Sequence, residues 1–200
     1  NPMDQNRNGR PGETTDKYTA TTTVAGAKTY SSTDVGKVIP DFGTVVSRLT
    51  ITDNVTIRDL NVRVTASHHT DADVRLTLVG PDGTRVVLFN RRGGSGNDFA
   101  NTTFDDEAPN SIWRGTAPFA GSYKPEYVLS AFDGKSAKGT WSLVIDDLFP
   151  VDSGKLWAWS MTVEGAPAAR PATAAHSAGL PAAPPSPAGG PWLSSMFVRV

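Results

Sequence analysis

Apolar residues in the middle of this 200-residue chain recur at every second position rather than every third or fourth. Leu60, Val62 and Val64 alternate with polar neighbours inside a β-prone run from Thr56 to Ala66, which also holds Ile57. Leu76 and Leu78 alternate with Arg75 and Thr77. Trp141, Leu143 and Ile145 repeat the pattern, as do Trp157, Trp159, Met161 and Val163. A period of two sends successive side chains to opposite faces of an extended strand, so each run offers one apolar face. Gly80-Pro81-Asp82-Gly83-Thr84 is a turn after the second run, and Arg85 to Phe89 forms the returning arm of a hairpin. Weaker strand signals lie at Tyr18–Val24, Val46–Ile51, Ala100–Phe104 and Glu126–Phe132. The pattern predicts an all-β chain of about eight or nine short strands, with no helix longer than two turns. One-sided strands must cover one another, and a jelly-roll-like β-sandwich of antiparallel sheets does so.

The flanks differ in composition. Residues 1–17 are polar and rich in Asn, Gly and Asp. The predicted folded domain is 18–165. Residues 166–191 are mostly Ala, Pro and Gly, so 166–200 is expected to be a linker and tail that cannot bury enough apolar surface to offset its ordering entropy. The N-terminus has no basic start followed by an apolar run, and the chain begins at Asn1, so it reads as a fragment or processed product. No apolar stretch has the length of a membrane-spanning helix.

Charge narrows the function. The chain carries 19 Lys and Arg against 20 Asp and Glu. That balance argues against a nucleic-acid binder, which needs a basic surplus. With no cysteine there is no disulfide, thiolate metal site or Cys nucleophile. Sixteen of the acids are Asp, a residue of turns and calcium loops.

Several loops hold candidate chemistry. His68-His69-Thr70-Asp71-Ala72-Asp73 joins two strands, but adjacent histidines in extended chain face opposite ways and cannot share an ion without a turn. Asp98 and Asp105-Asp106-Glu107 place four acids within ten residues. Neighbouring carboxylates in extended chain do not face each other across a cleft, so a hard cation held by carboxylates and backbone oxygens fits better than acid–base hydrolysis. Solvated turn acids are the alternative. Asp146-Asp147 with Asp152 is an acidic turn or a second cation site. Asp4, Asn6, Asn8 and Gly9 have the opening spacing of a calcium loop, yet Thr15 stands where the closing Glu belongs. A Ser-His-Asp relay lacks a Gly-x-Ser-x-Gly elbow and has only His68, His69 and His176 as bases. Trp141, Trp157 and Trp159 fall on strand alternation and are expected in the core, while Trp113 sits in a loop. A patch of Trp113, Phe119 and Tyr123 would suit a binding module for a cell-surface or polysaccharide target.

Taken together, the motifs resemble the P domain (homo B domain) of proprotein convertases, in the form found beside bacterial secreted proteases. The run Val46 to Val64 resembles the family's opening. His69-Thr70, Asp73-Val74 and Leu78 to Thr84 are similar to its His-Thr…Asp-Leu…Leu-x-x-Pro-x-Gly-Thr hairpin. Thr103-Phe-Asp-Asp-Glu-Ala108, Phe119-Ala-Gly-Ser-Tyr-Lys-Pro125, Leu129-Ser-Ala-Phe132, Gly139-Thr-Trp-Ser-Leu143 and Asp152-Ser-Gly-Lys-Leu156 follow in the family's order. The resemblance implies a jelly-roll sandwich C-terminal to a subtilisin-like serine protease module, which it packs against and stabilises. It implies a secreted, monomeric domain with no catalytic residues of its own and Ca2+ as ligand. Asp71, Asp73, Asp98, Asp105 and Asp106 are the metal candidates it carries over. The family also occurs beside metalloproteases, and a secreted adhesion module is the rival reading.

Overall fold

A computed structural model describes residues 26–167. The candidate calcium turn at 4–9, the Tyr18–Val24 run, His176 and the tail beyond 167 lie outside the described residues. Ten strands follow in order: β1 (Lys28–Ser31), β2 (Lys37–Ile39), β3 (Thr44–Ile51), β4 (Val55–His68), β5 (Val74–Val79), β6 (Arg85–Asn90), β7 (Phe99–Phe104), β8 (Gly121–Tyr123), β9 (Gly139–Asp147) and β10 (Gly154–Pro167). Three single-turn 3-10 segments, Asp71–Asp73, Ile112–Arg114 and Leu129–Phe132, sit in the connections.

The strands form two open sheets. The larger runs β1-β10-β4-β7-β8, with β2 also pairing to β10; the smaller runs β3-β9-β5-β6. All pairings are antiparallel except β7 with β8. The all-β, jelly-roll-like expectation therefore holds, with one parallel pair added.

The predicted alternation lines the interior. On β4, Leu60, Val62, Val64 and Ala66 point inward while Arg63 faces solvent. Leu76 and Leu78 on β5, Leu143 and Ile145 on β9, and Met161 and Val163 on β10 meet them from the other strands. Full burial of a Leu or Val side chain is worth about 1.5–3 kcal/mol. A few dozen such residues hold the sheets together against chain entropy.

Two expectations fail for identifiable reasons. Glu126–Phe132 is not a strand. Glu126 and Tyr127 donate backbone N–H groups to Leu88 and Val87, and the chain then coils so that Leu129 and Phe132, three apart, both turn inward. Phe132 packs edge-on against Trp141, with ring centroids 4.9 Å apart. Trp157 is not core: it is 51% exposed. The pairing of β10 with β4 slips between Leu156 and Ala158, so Leu156 opposes Ala66 and Ala158 opposes Thr65. Trp157 is the extra residue of that bulge, which breaks the alternation and turns the indole outward.

Candidate functional site

Loop chemistry gathers where β4 hands over to β5, at the end of the sandwich that also holds the β6–β7 and β9–β10 connections. The His68 imidazole is buried and its Nε2 lies 3.2 Å from Asp147 Oδ2. Its Nδ1 sits 2.9 Å from the Thr70 carbonyl oxygen and 3.3 Å from the Thr70 amide. The other Asp147 oxygen accepts the Phe149 N–H. Thr70 Oγ1 donates to Asp152 at 2.5 Å, and exposed His69 has its Nδ1 3.2 Å from the Ser153 carbonyl. The adjacent histidines do point opposite ways. Among the described residues no serine hydroxyl bonds to His68, and the Asp–His pair ties the end of β4 to the end of β9, one strand from each sheet. Asp146 is likewise spoken for: Arg75 holds it at 2.9 Å and Thr44 at 2.7 Å.

Asp71 is the unusual member of this end. It is fully buried, and neither carboxylate oxygen has a hydrogen-bond partner. Its backbone N–H reaches the Gly96 carbonyl, and Ala72 reaches that of Gly94, so the 3-10 turn is stitched to the glycine loop after β6. Burial first, and then the nearby Asp98 carboxylate, push the Asp71 carboxyl up to about 8; the Asp98 backbone N–H lies close enough to offset part of the rise without forming a well-aligned hydrogen bond. Asp98 accepts the His68 N–H at 3.0 Å on one oxygen and adopts a left-handed backbone (φ 75°). Burial also raises Asp73, helped by the Asp147 carboxylate. Beside them a cleft of about 290 Å3 opens between Ser67, His69, Asn97, Asp98 and Ser153.

The five candidate acids therefore split. Asp71, Asp73 and Asp98 share this end. Asp105 and Asp106 lie at the far end of β7, beyond six strand residues, or about 20 Å. Calcium ligands sit about 2.4 Å from the ion, so one ion cannot take both groups. Asp106 already caps the turn at Leu129, accepting the Leu129 and Ser130 N–H groups at 2.9 and 2.8 Å. Asp105 accepts the Glu107 N–H, and a side-chain hydrogen bond with Asp105 raises the Glu107 carboxyl. Among the described residues no three His, Asp or Glu side chains converge on one point. A cation near Asp71 would thus need backbone oxygens or water besides carboxylates, which calcium accepts. Both Asp106 oxygens are engaged by N–H groups, whereas the two Asp71 oxygens and one Asp98 oxygen are the less engaged donors.

The expected aromatic patch also divides. Trp113 is 62% exposed, with the Arg92 guanidinium 3.6 Å above its ring. Arg92 is held there by Glu126 at 2.7 Å. Phe119 is instead fully buried, edge-on to Phe89 at 5.1 Å and stacked on Phe99 at 5.7 Å. Gly93 and Gly115 make room for it, since a Cβ on either would come within 2.9 Å of its ring. Tyr123 is half-buried against it.

The same end carries a feature with no strand periodicity to announce it. Phe42 and Val151 project from neighbouring loops, 69% and 88% exposed, and both have left-handed backbones (φ 48° and 100°). The Val151 N–H donates to Asp41 at 2.9 Å, joining the two loop tips. Phe149 lies beside them under the Arg91 guanidinium, 4.3 Å from its ring centre.

Fold and loop chemistry define an open, two-sheet β-sandwich with one acid-rich, apolar-tipped end. The chain belongs to the proprotein convertase P-domain family, whose model matches residues 57–163, from β4 into β10. Among solved structures it is similar to a serine protease of Aeromonas sobria, at 21% identity and TM-score 0.45 over 71% of this chain and 27% of that one. It is similar to the same protease in complex with its chaperone (ORF2), at 21% identity and TM-score 0.45 over 70% and 26%. A third is FLHE, at 15% identity and TM-score 0.40 over 70% and 98%. The chain spans about a quarter of the length of the Aeromonas protease chains it matches.

Proposed function

We propose that this P domain is the non-catalytic companion of a secreted subtilisin-like serine protease module on the same polypeptide, that it stabilises that module by packing against it, and that it binds calcium at Asp71 and Asp98. The observation that carries the reading is the pair of bonded loop tips at Phe42 and Val151, on a domain of a family named for convertases. Exposing Phe42 and holding a β-branched residue at φ 100° both cost free energy in the isolated domain. Burial against a neighbouring module recovers the first cost. A domain that binds only the native protease then stabilises it through a high effective concentration within one chain. Calcium at Asp71 would displace its proton, give its two buried oxygens a partner and hold the Asp71 and Asp98 carboxylates together, fixing the loops that flank the apolar tips.

The test compares the thermal inactivation half-life of the parent polypeptide with and without the Phe42→Ser and Val151→Gly changes. We expect the doubly changed protein to inactivate severalfold faster while the isolated domain melts at the same temperature or higher, because Val151→Gly relieves backbone strain. An unchanged half-life rejects the packing face.

A further inference from the structure

The outer face of the larger sheet carries a cluster of side chains independent of the calcium and packing reading. Its strands are polar and uncovered among the described residues. On this face the β10 bulge places Trp157 and Ala158 side by side against Thr65. The Trp157 ring is fixed on two sides: its Nε1–H donates to Ser67 Oγ at 3.0 Å, and the Lys155 ammonium sits 4.2 Å from its ring centre. Half the indole remains in solvent. Next to it, Ala158 lines a depression of about 260 Å3 together with Arg63, Thr65, Asn101 and Ser160. Thr65 Oγ1 donates to Asn101 Oδ1 at 3.1 Å, and among the described residues the Asn101 amide N–H groups have no acceptor. Among the described residues neither Arg63 nor Lys155 is paired with a carboxylate.

An oriented indole beside hydroxyls, an amide and two unpaired cations is complementary to one ligand chemistry. A sugar ring has an apolar face for the indole and equatorial hydroxyls for the Thr, Asn and Ser side chains. A carboxylate on that ring suits the planar fork of Arg63. Trp157 and Ser160 are three residues apart on one strand, or about 10 Å, so the face suits a short oligosaccharide rather than a single ring. The bulge disrupts the β10–β4 ladder and exposes an indole, and a pre-oriented ring is what such a ligand would use. We propose that this face binds a carboxylated polysaccharide, with Trp157 as the stacking platform and Arg63 as the carboxylate anchor.

Isothermal titration of the full 200-residue chain with oligogalacturonate tests this, in chelator so that calcium bridging plays no part. Cello-oligosaccharides of the same length are the uncharged comparators. We expect saturable binding of oligogalacturonate that weakens at least tenfold in Trp157→Ala and in Arg63→Gln. Trp157→Tyr, which keeps a ring, should retain most of it, and Trp113→Ala should leave it unchanged. All variants should melt within a few degrees of the parent. No saturable binding, equal binding in Trp157→Ala and Arg63→Gln, or equal affinity for the uncharged oligosaccharide overturns the proposal.

Discussion

Asp71 shows how a single carboxyl can make a domain depend on its surroundings. It is buried with two orphaned oxygens, so without a cation it is held largely protonated at neutral pH. Asp71→Asn keeps the shape and removes the charge. In chelator at pH 8 we expect this variant to be more stable than the parent by about 1–3 kcal/mol, read by urea unfolding. Added calcium should then raise the parent's stability and leave the variant's where it was. A variant that still responds to calcium would move the ion elsewhere. Asp82 behaves in the opposite sense. Hydrogen bonds from Lys135 and from Thr84 hold its carboxyl far below the usual carboxylate range. A depressed folded pKa contributes stability above the unfolded value of about 4, and that contribution disappears as pH falls below it. Unfolding midpoints measured from pH 5 to pH 2 should fall less steeply for Asp82→Asn than for the parent. Residue order misleads about part of the candidate site: it puts Asp98 and Asp105 in one ten-residue cluster, and the six-residue β7 between them carries them apart. The burial of Asp71 was not legible, because its loop reads as solvated and only folding brings Gly93–Gly96 and Phe119 over it.

At the level of elements, the period-two runs located β4, β5, β6 and β9 to within a few residues, because one face of each strand must be apolar wherever the other is wet. β1, β2 and β8 are three or four residues long and carry too few apolar positions to show a period. A bulge is hidden for a different reason: one extra residue inverts the alternation, and Leu156-Trp157-Ala158-Trp159 contains nothing that marks where. β10 has a second register shift, between Glu164 and Gly165. There a glycine has a sharp steric role, for a Cβ on Gly165 would stand 2.1 Å from the Thr56 carbonyl oxygen. That is a backbone atom and cannot step aside without opening the β10–β4 ladder. Gly165→Ala should therefore destabilise the domain by about 1–3 kcal/mol in chemical denaturation, with an unchanged m-value. A neutral result would mean that the end of β10 separates from β4 at little cost.

For the whole molecule, the connectivity makes the loop end and the core one unit. β10 lies between β4 and β1, and its entry loop carries Asp152 and Ser153, which hold Thr70 and His69. Ordering that end therefore stabilises the central pairing of the larger sheet, and the two should melt together. The effect of calcium follows from mass action. An ion that binds only the folded state, present at a hundred times its dissociation constant, adds about 2.7 kcal/mol. For a domain of this size that corresponds to a rise in Tm of roughly 10 °C. Scanning calorimetry of the full chain in calcium and in chelator should then show one transition that moves by that order and stays single. Two transitions, with only the smaller one moving, would mean that the acid-rich end folds apart from the sandwich. A single transition at the same temperature in both buffers would leave the Asp71 oxygens without an ion, and the stabilising role would rest on the Phe42–Val151 face alone.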